Sequence, residues 1–142
     1  MPGIGLLIAT ALAAAVGDMS AFRDGRHLAA RPGPTPKEHS SGNRRRLGGI
    51  SKRGDPYLRA LLVHGARSAL LAAQAKQAAG KEPTRLQAWV LGLAGRLDHN
   101  RAVCAPANKM ARVAYAVVRL GRDFNGDFFA PASKARPAGQ PA

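Results

Sequence analysis

An all-α domain of four to five helices, interrupted by one basic serine-bearing loop, is what the sequence predicts. Three observations carry that reading. Apolar residues recur at helical spacing around positions 58–70, 86–93 and 110–118. Only 5% of residues are aromatic while alanine is abundant, a composition suited to closely packed helices built on small side chains. The densest Pro/Gly stretches fall between the periodic segments. One domain, residues 1–128, fits the length of 142, and 46% hydrophobic content supplies a small core.

The elements follow in order. Ile4 to Val16 is an alanine-rich helix, stopped by Gly17-Asp18. Ser20 is placed to cap a short amphipathic helix through Phe22, His27 and Leu28. Arg31 to Pro36 holds three prolines and a glycine and cannot be helical. Lys37 to Gly54 reads as a polar, Gly-rich basic loop that could form a short hairpin around Gly48-Gly49. Asp55-Pro56 gives a cap and a first-turn proline for a long helix from Asp55 to Ala79, with an apolar stripe of Leu58, Leu61, Leu62, Ala66, Ala69 and Leu70. Thr84 caps a third helix over Arg85 to Arg96. A fourth runs from about Ala105 to Leu120, with Met110, Val113, Ala114, Val117 and Val118 on one face. Residues 129–142 are rich in Pro, Ala, Lys and Arg and are expected to be a disordered tail.

Lys and Arg number 22 against 8 acidic residues, a formal net charge of +14. Such an excess opposes compaction and points to an anionic partner, nucleic acid above all. Sixteen of the basic residues are Arg, whose fork matches phosphate. Cys104 is the only cysteine, which excludes a disulfide scaffold, and with four histidines that show no ligand spacing no zinc module is expected. The eight acidic residues form no D…E…D-x-x-D arrangement, so no magnesium site is expected in this chain. Leu6 to Val16 resembles the apolar region of a signal peptide, and a secreted protein cleaved after this segment is one alternative. No Lys or Arg precedes the segment, and it is too short to span a bilayer, so a cytoplasmic protein with no membrane partner is expected.

Three features could carry chemistry. Pro2-Gly3-Ile4-Gly5 looks like the turn and second helix of a helix-hairpin-helix, in which the amides near Gly3 and Gly5 would meet a DNA phosphate. A Gly-rich packing turn between helices explains the same residues. The loop carries Ser40-Ser41-Gly42, then Arg44, Arg45, Arg46, Lys52 and Arg53. A serine beside glycine and clustered arginines is what attack on a phosphodiester requires, although composition alone favours an ordinary solvated loop. Phosphate binding by those cations follows from charge. Lys109, Arg112 and Arg119 make a basic side on the last helix, which reads first as a solvated face and secondarily as a DNA-facing one.

The order of these segments resembles the insertion-sequence transposase family named after elements one-ten, one-sixteen and nine-oh-two. The matching run is PGIG (2–5), A-x-x-L-x-A-x-x-GD (9–18), F-x-x-x-R-H-L-A-A (22–30), G-P-T-P (33–36), S-S-G (40–42), R-R-R-L-G-G-I-S-K-R-G-D (44–55), L-R-A-L-L-V (58–63), ANKMARVAYAVVR (107–119) and a closing G-x-x-F (121–124). The resemblance implies the C-terminal transposase domain of a two-part enzyme. In it the serine before glycine, here Ser41, attacks DNA and forms a phosphoserine link. It also implies an N-terminal RuvC-like domain with magnesium-binding carboxylates, a bridge RNA that pairs with DNA, and a homotetramer. Measured against that pattern the chain looks N-terminally truncated, so it is expected to bind DNA and to be inactive alone. A non-catalytic basic helix-hairpin-helix module, left as a remnant, is the alternative.

Overall fold

Five helices and one two-stranded ribbon make up the described residues of the computed structural model, which are 1–126 apart from 35, 40, 42, 43, 45, 46 and 122. The tail at 129–142 lies outside them.

Helix α1 spans Leu6–Val16 and buries Ile8, Leu12 and Val16, one residue per turn. Its opposite face is open, with Leu6 82% and Leu7 62% exposed. The next segment departs from the expected single helix capped by Ser20. A 3-10 turn covers Met19–Ala21, with the Asp18 carboxylate accepting from the Ser20 amide. Helix α2, Gly25–Ala30, begins separately, with Asp24 accepting from the His27 amide. Between them Phe22 is extended, and burying its ring against Val16 and Leu28 takes the backbone out of the helix. The Tyr115 hydroxyl donates to the Phe22 carbonyl at 2.9 Å and ties this corner to the last helix.

Helix α3, Pro56–Ala78, begins as the sequence indicates, with Asp55 accepting from the amides of Tyr57 and Leu58. Leu58, Leu62, Ala66, Leu70 and Ala73 form its buried stripe. Helix α4, Arg85–Ala94, opens on a capping box in which Thr84 and Gln87 satisfy each other's amides. Helix α5 runs His99–Leu120, starting well before Ala105. Asp98 is its cap, accepting from the Arg101 amide at 3.0 Å, and Pro106 lies inside the helix. Proline removes one ladder hydrogen bond there. Pro106 is itself buried in the row Ala102, Val103, Pro106, Ala107, Met110 and Ala111, and that packing holds the helix through the break. The buried face of α5 thus lies in its first two-thirds, and Val118, expected on the core side, is 59% exposed.

The core is a three-helix contact. Ile8 and Leu12 of α1, Leu58, Leu62, Ala66 and Leu70 of α3, and Val103, Ala107, Met110 and Ala111 of α5 form one cluster, joined by Val90 of α4. Cleaving α1 would strip its residues from that cluster.

The basic segment between α2 and α3 is an antiparallel ribbon of β1, Pro36–Glu38, and β2, Leu47–Ile50, in the register Pro36 to Ile50 and Glu38 to Leu47. Gly48 and Gly49, expected at a turn, lie within β2. The chain reverses instead at 41–44, where Ser41 and Arg44 pair in an isolated antiparallel bridge.

Candidate nucleic-acid interface

Among the described residues, the hydrogen bonds that tie the ribbon to the body lie at its base. The Lys52 amide donates to the Gly33 carbonyl at 3.3 Å and the Asp55 amide to the Arg31 carbonyl at 3.2 Å. The Arg59 guanidinium, from the first turn of α3, donates from one nitrogen to the carbonyls of Pro32 (3.0 Å) and Lys52 (3.1 Å), one on each leg. The legs approach so closely that a side chain at Gly54, whose φ is 106°, would collide with the Arg31 carbonyl. Lys52 itself takes a left-handed φ of 54°.

Ser41 is exposed at the tip, and the Arg44 amide donates to its carbonyl at 3.2 Å. Arg44 is exposed beside it. Arg45, Arg46 and the neighbouring Ser40 lie outside the described residues. Lys52 and Arg53 are exposed but belong to the base. At about 3.3 Å per strand residue, Ser41 stands on the order of 16 Å along the ribbon from Pro36. The cations that follow one another in sequence are therefore divided, Arg44 beside the serine and Lys52 and Arg53 near the body.

Gly3 and Gly5 also separate. Gly3, at φ 77°, presses on α3: a side chain there would strike the Gly65 carbonyl and Met110, and one at Gly65 would strike the Gly3 carbonyl. Its visible role is the packing turn. Gly5 is exposed at the start of α1, which has no side-chain cap.

One groove escapes sequence reading. It encloses about 1350 Å³ between β2, α3 and α5. Arg26, Lys52, Arg59, Arg101 and Arg112 line it, with Asn100, Asn108 and His64, and no carboxylate is among the described lining residues. On α5 the lining positions 101, 104, 105, 108 and 112 follow helical periodicity. That stripe is the signal in the sequence, obscured because the helix is expected to begin only at Ala105. Cys104 faces this groove, and burial pushes its thiol above the ordinary value, with Arg67 opposing. It is a poor nucleophile at neutral pH. Burial, and then Arg112, push the Lys109 ammonium below its usual range.

Among the described residues no three His, Cys, Asp or Glu side chains gather as a metal site. Asp18, Asp24, Asp55 and Asp98 accept backbone amides at the starts of helices or turns. These residues do not fit a magnesium centre. No described helix is long and apolar enough to cross a membrane.

Comparison with known proteins agrees with the order of motifs. The family model described as Transposase IS116/IS110/IS902 family matches residues 1–82. A probable family 20 transposase of Pseudomonas aeruginosa is 46% identical over 116 residues, covering 82% of this chain and 32% of that protein. The transposase for insertion sequence element IS1111A of Coxiella burnetii is 42% identical over 118 residues, covering 83% of this chain and 31% of its own. The transposase for IS1328 of Yersinia enterocolitica is 39% identical over 125 residues, covering 88% and 36%. The chain belongs to the IS116/IS110/IS902 transposase family, and it spans about a third of the length of these relatives.

Proposed function

We propose that this chain is the serine-bearing, DNA-binding domain of an insertion-sequence transposase, with Ser41 as the nucleophile. The observation that carries the reading is the exposure of Ser41 at the far end of a ribbon whose described hydrogen bonds to the body lie at its base, paired with Arg44. A hydroxyl so presented can reach a phosphodiester that a flat protein surface could not. Arg44, with Arg45 and Arg46 adjacent in sequence, neutralises the phosphoryl oxygens. The Ser41 oxygen bonds to phosphorus and gives up its proton to a base. The bond from phosphorus to the 3′ oxygen breaks, and that oxygen takes up a proton as a free 3′-hydroxyl. Lys52 and Arg53, and the amides at Gly5, hold flanking phosphates.

On the same reading catalysis takes place on DNA in the cytoplasm, in a homotetramer with a guide RNA. The magnesium-binding carboxylates of that assembly belong to a domain other than this fold, and by itself the chain binds DNA without recombining it.

The test is a chimera. This chain replaces the matching 116 residues of the Pseudomonas aeruginosa relative, and covalent protein–DNA adducts are followed on a denaturing gel. An adduct is expected with the unaltered graft and with Ser40→Ala, and none with Ser41→Ala. Persistence of the adduct in Ser41→Ala refutes the assignment.

A further inference from the structure

We infer that the groove between β2, α3 and α5 is a second DNA-binding site, holding the sugar–phosphate backbone of one strand of a duplex beside the ribbon. The inference rests on the proposed DNA-binding function and names a surface that function does not require.

Charge and extent select the ligand class. Arg59 already serves the two carbonyls of the ribbon legs, which leaves Arg26, Lys52, Arg101 and Arg112 to face an anion. Arg101 also meets Asp98 at 3.8 Å, an exposed pair that solvent screens. Arg101 and Arg112 lie eleven residues apart on α5, roughly 16 Å at 1.5 Å per residue. A single phosphate or nucleotide cannot touch both. A DNA strand, which carries a phosphate at every nucleotide, spans them over a few nucleotides. The volume of about 1350 Å³ also exceeds that of an ordinary small-molecule pocket.

The floor then separates duplex from single strand. Ala60, Val63, Leu97 and Ala105 form it, and among the described lining residues there is no Phe, Tyr or Trp. Sites for unpaired bases depend on aromatic stacking platforms, which are missing from this lining. A strand whose bases remain stacked in a duplex offers what the groove can use: a row of phosphates and sugars. Contacts of that kind set position and carry no sequence information. Gly48, Gly49 and Ile50 of β2 form one wall, so the bound strand runs alongside the ribbon that carries Ser41.

The experiment measures binding of the full chain to two unrelated DNA duplexes between about 50 and 200 mM salt. Arg26→Gln/Arg101→Gln/Arg112→Gln is compared with the unaltered protein, and thermal melts verify the fold. Because Arg112 is half-buried, the double variant at the exposed Arg26 and Arg101 serves if the triple variant does not fold. The triple variant is expected to weaken both duplexes equally and to make the slope of log K against log salt shallower by roughly 2 to 3. The double variant should change it by roughly 2. An unchanged slope and affinity, with Arg44→Gln still weakening DNA, overturns the groove and leaves the proposed function standing. Tighter binding of single-stranded DNA or of an RNA hairpin, lost in the same variants while duplex binding is not, overturns the duplex assignment. Failure of the unaltered chain to bind any DNA overturns both readings.

Discussion

The helical body and the ribbon are built on opposite principles. In the body, Leu58, Leu62, Ala66, Ala107 and Ala111 are at most 1% exposed, and glycine packs directly on glycine where the N-terminal turn meets α3. In the ribbon Lys37, His39, Ser41, Arg44, Gly48 and Gly49 are all exposed, and the attachments to the body sit at one end. The stability of the domain resides in the body, and the proposed nucleophile is borne where little stability is at stake. A loop presented by a rigid scaffold is a common arrangement for binding and catalysis. Here the division makes the two properties separable by mutation.

The largest effect is expected in the body. Leu62 is fully buried at the centre of the α1–α3–α5 contact, and Leu62→Ala should cost about 2–5 kcal/mol, read from the urea midpoint. Gly65→Ala should cost about 1–3 kcal/mol by forcing α3 from the Gly3 carbonyl and Ile8, neither of which is free to move far. A ribbon substitution of equal cost would break the comparison.

Arg59→Ala tests the junction. It removes both donations to the ribbon legs while leaving the core intact, and a loss of roughly 1–2 kcal/mol is expected because a part-buried and an exposed carbonyl lose a charged donor. Amide exchange should quicken in β1 and β2 and stay unchanged in α3 beyond its first turns. Arg59→Lys should recover part of the protection, since an ammonium reaches carbonyls but lacks the planar fork. Uniform acceleration through the body would mean that Arg59 is a core residue and not a clamp.

At the tip the two properties part. Ser41→Ala should alter stability by less than about 0.5 kcal/mol, since the side chain is exposed and the bridge to Arg44 uses backbone groups. The same substitution should abolish adduct formation in the chimera. A melt shifted by several degrees would place Ser41 in the structural part of the molecule.

Sequence reasoning reached the body more readily than the ribbon, for physical reasons. Asp55-Pro56 and Thr84 announce helix starts through side-chain chemistry close in sequence, and both stand in the structure. The start of α5 was hidden by Pro106, because the cost of an interior proline is local while the packing that offsets it comes from α3. The break at Phe22 was hidden in the same way: a buried ring outweighs a short run of helical spacing. β1 and β2 have three and four residues, too few for an alternating pattern to show, and their register is set by hydrogen bonds to Arg31 and Gly33. The groove draws on α2, the ribbon, α3 and α5, so no local pattern contains it, whereas Ser41 and Arg44 stand only three residues apart in the sequence.

The smallest expected effect is on pH dependence, and it belongs to the body. The His27 amide holds the Asp24 carboxyl below its ordinary value of 3.8, and the Ser20 hydroxyl and amide do the same for Asp18. A carboxylate whose folded value is depressed contributes stability that is present above its unfolded value. That contribution is lost as pH falls from about 4 through the lower folded value. Asp24→Asn keeps a capping oxygen and removes the titration, so at neutral pH the variant should unfold near the unaltered protein. Below pH 4 its stability should fall less steeply, and the difference between the two proteins should shrink or reverse. Both caps lie in the connection between α1 and α2, remote in sequence from the ribbon tip. Acid should therefore lower the protection of the α2 amides, measured against their intrinsic exchange rates, before it affects the pairing of Ser41 with Arg44. If the tip exchanged first, its geometry would depend on these carboxylates, and the independence of chemistry from stability would fail at the point where the two regions differ most.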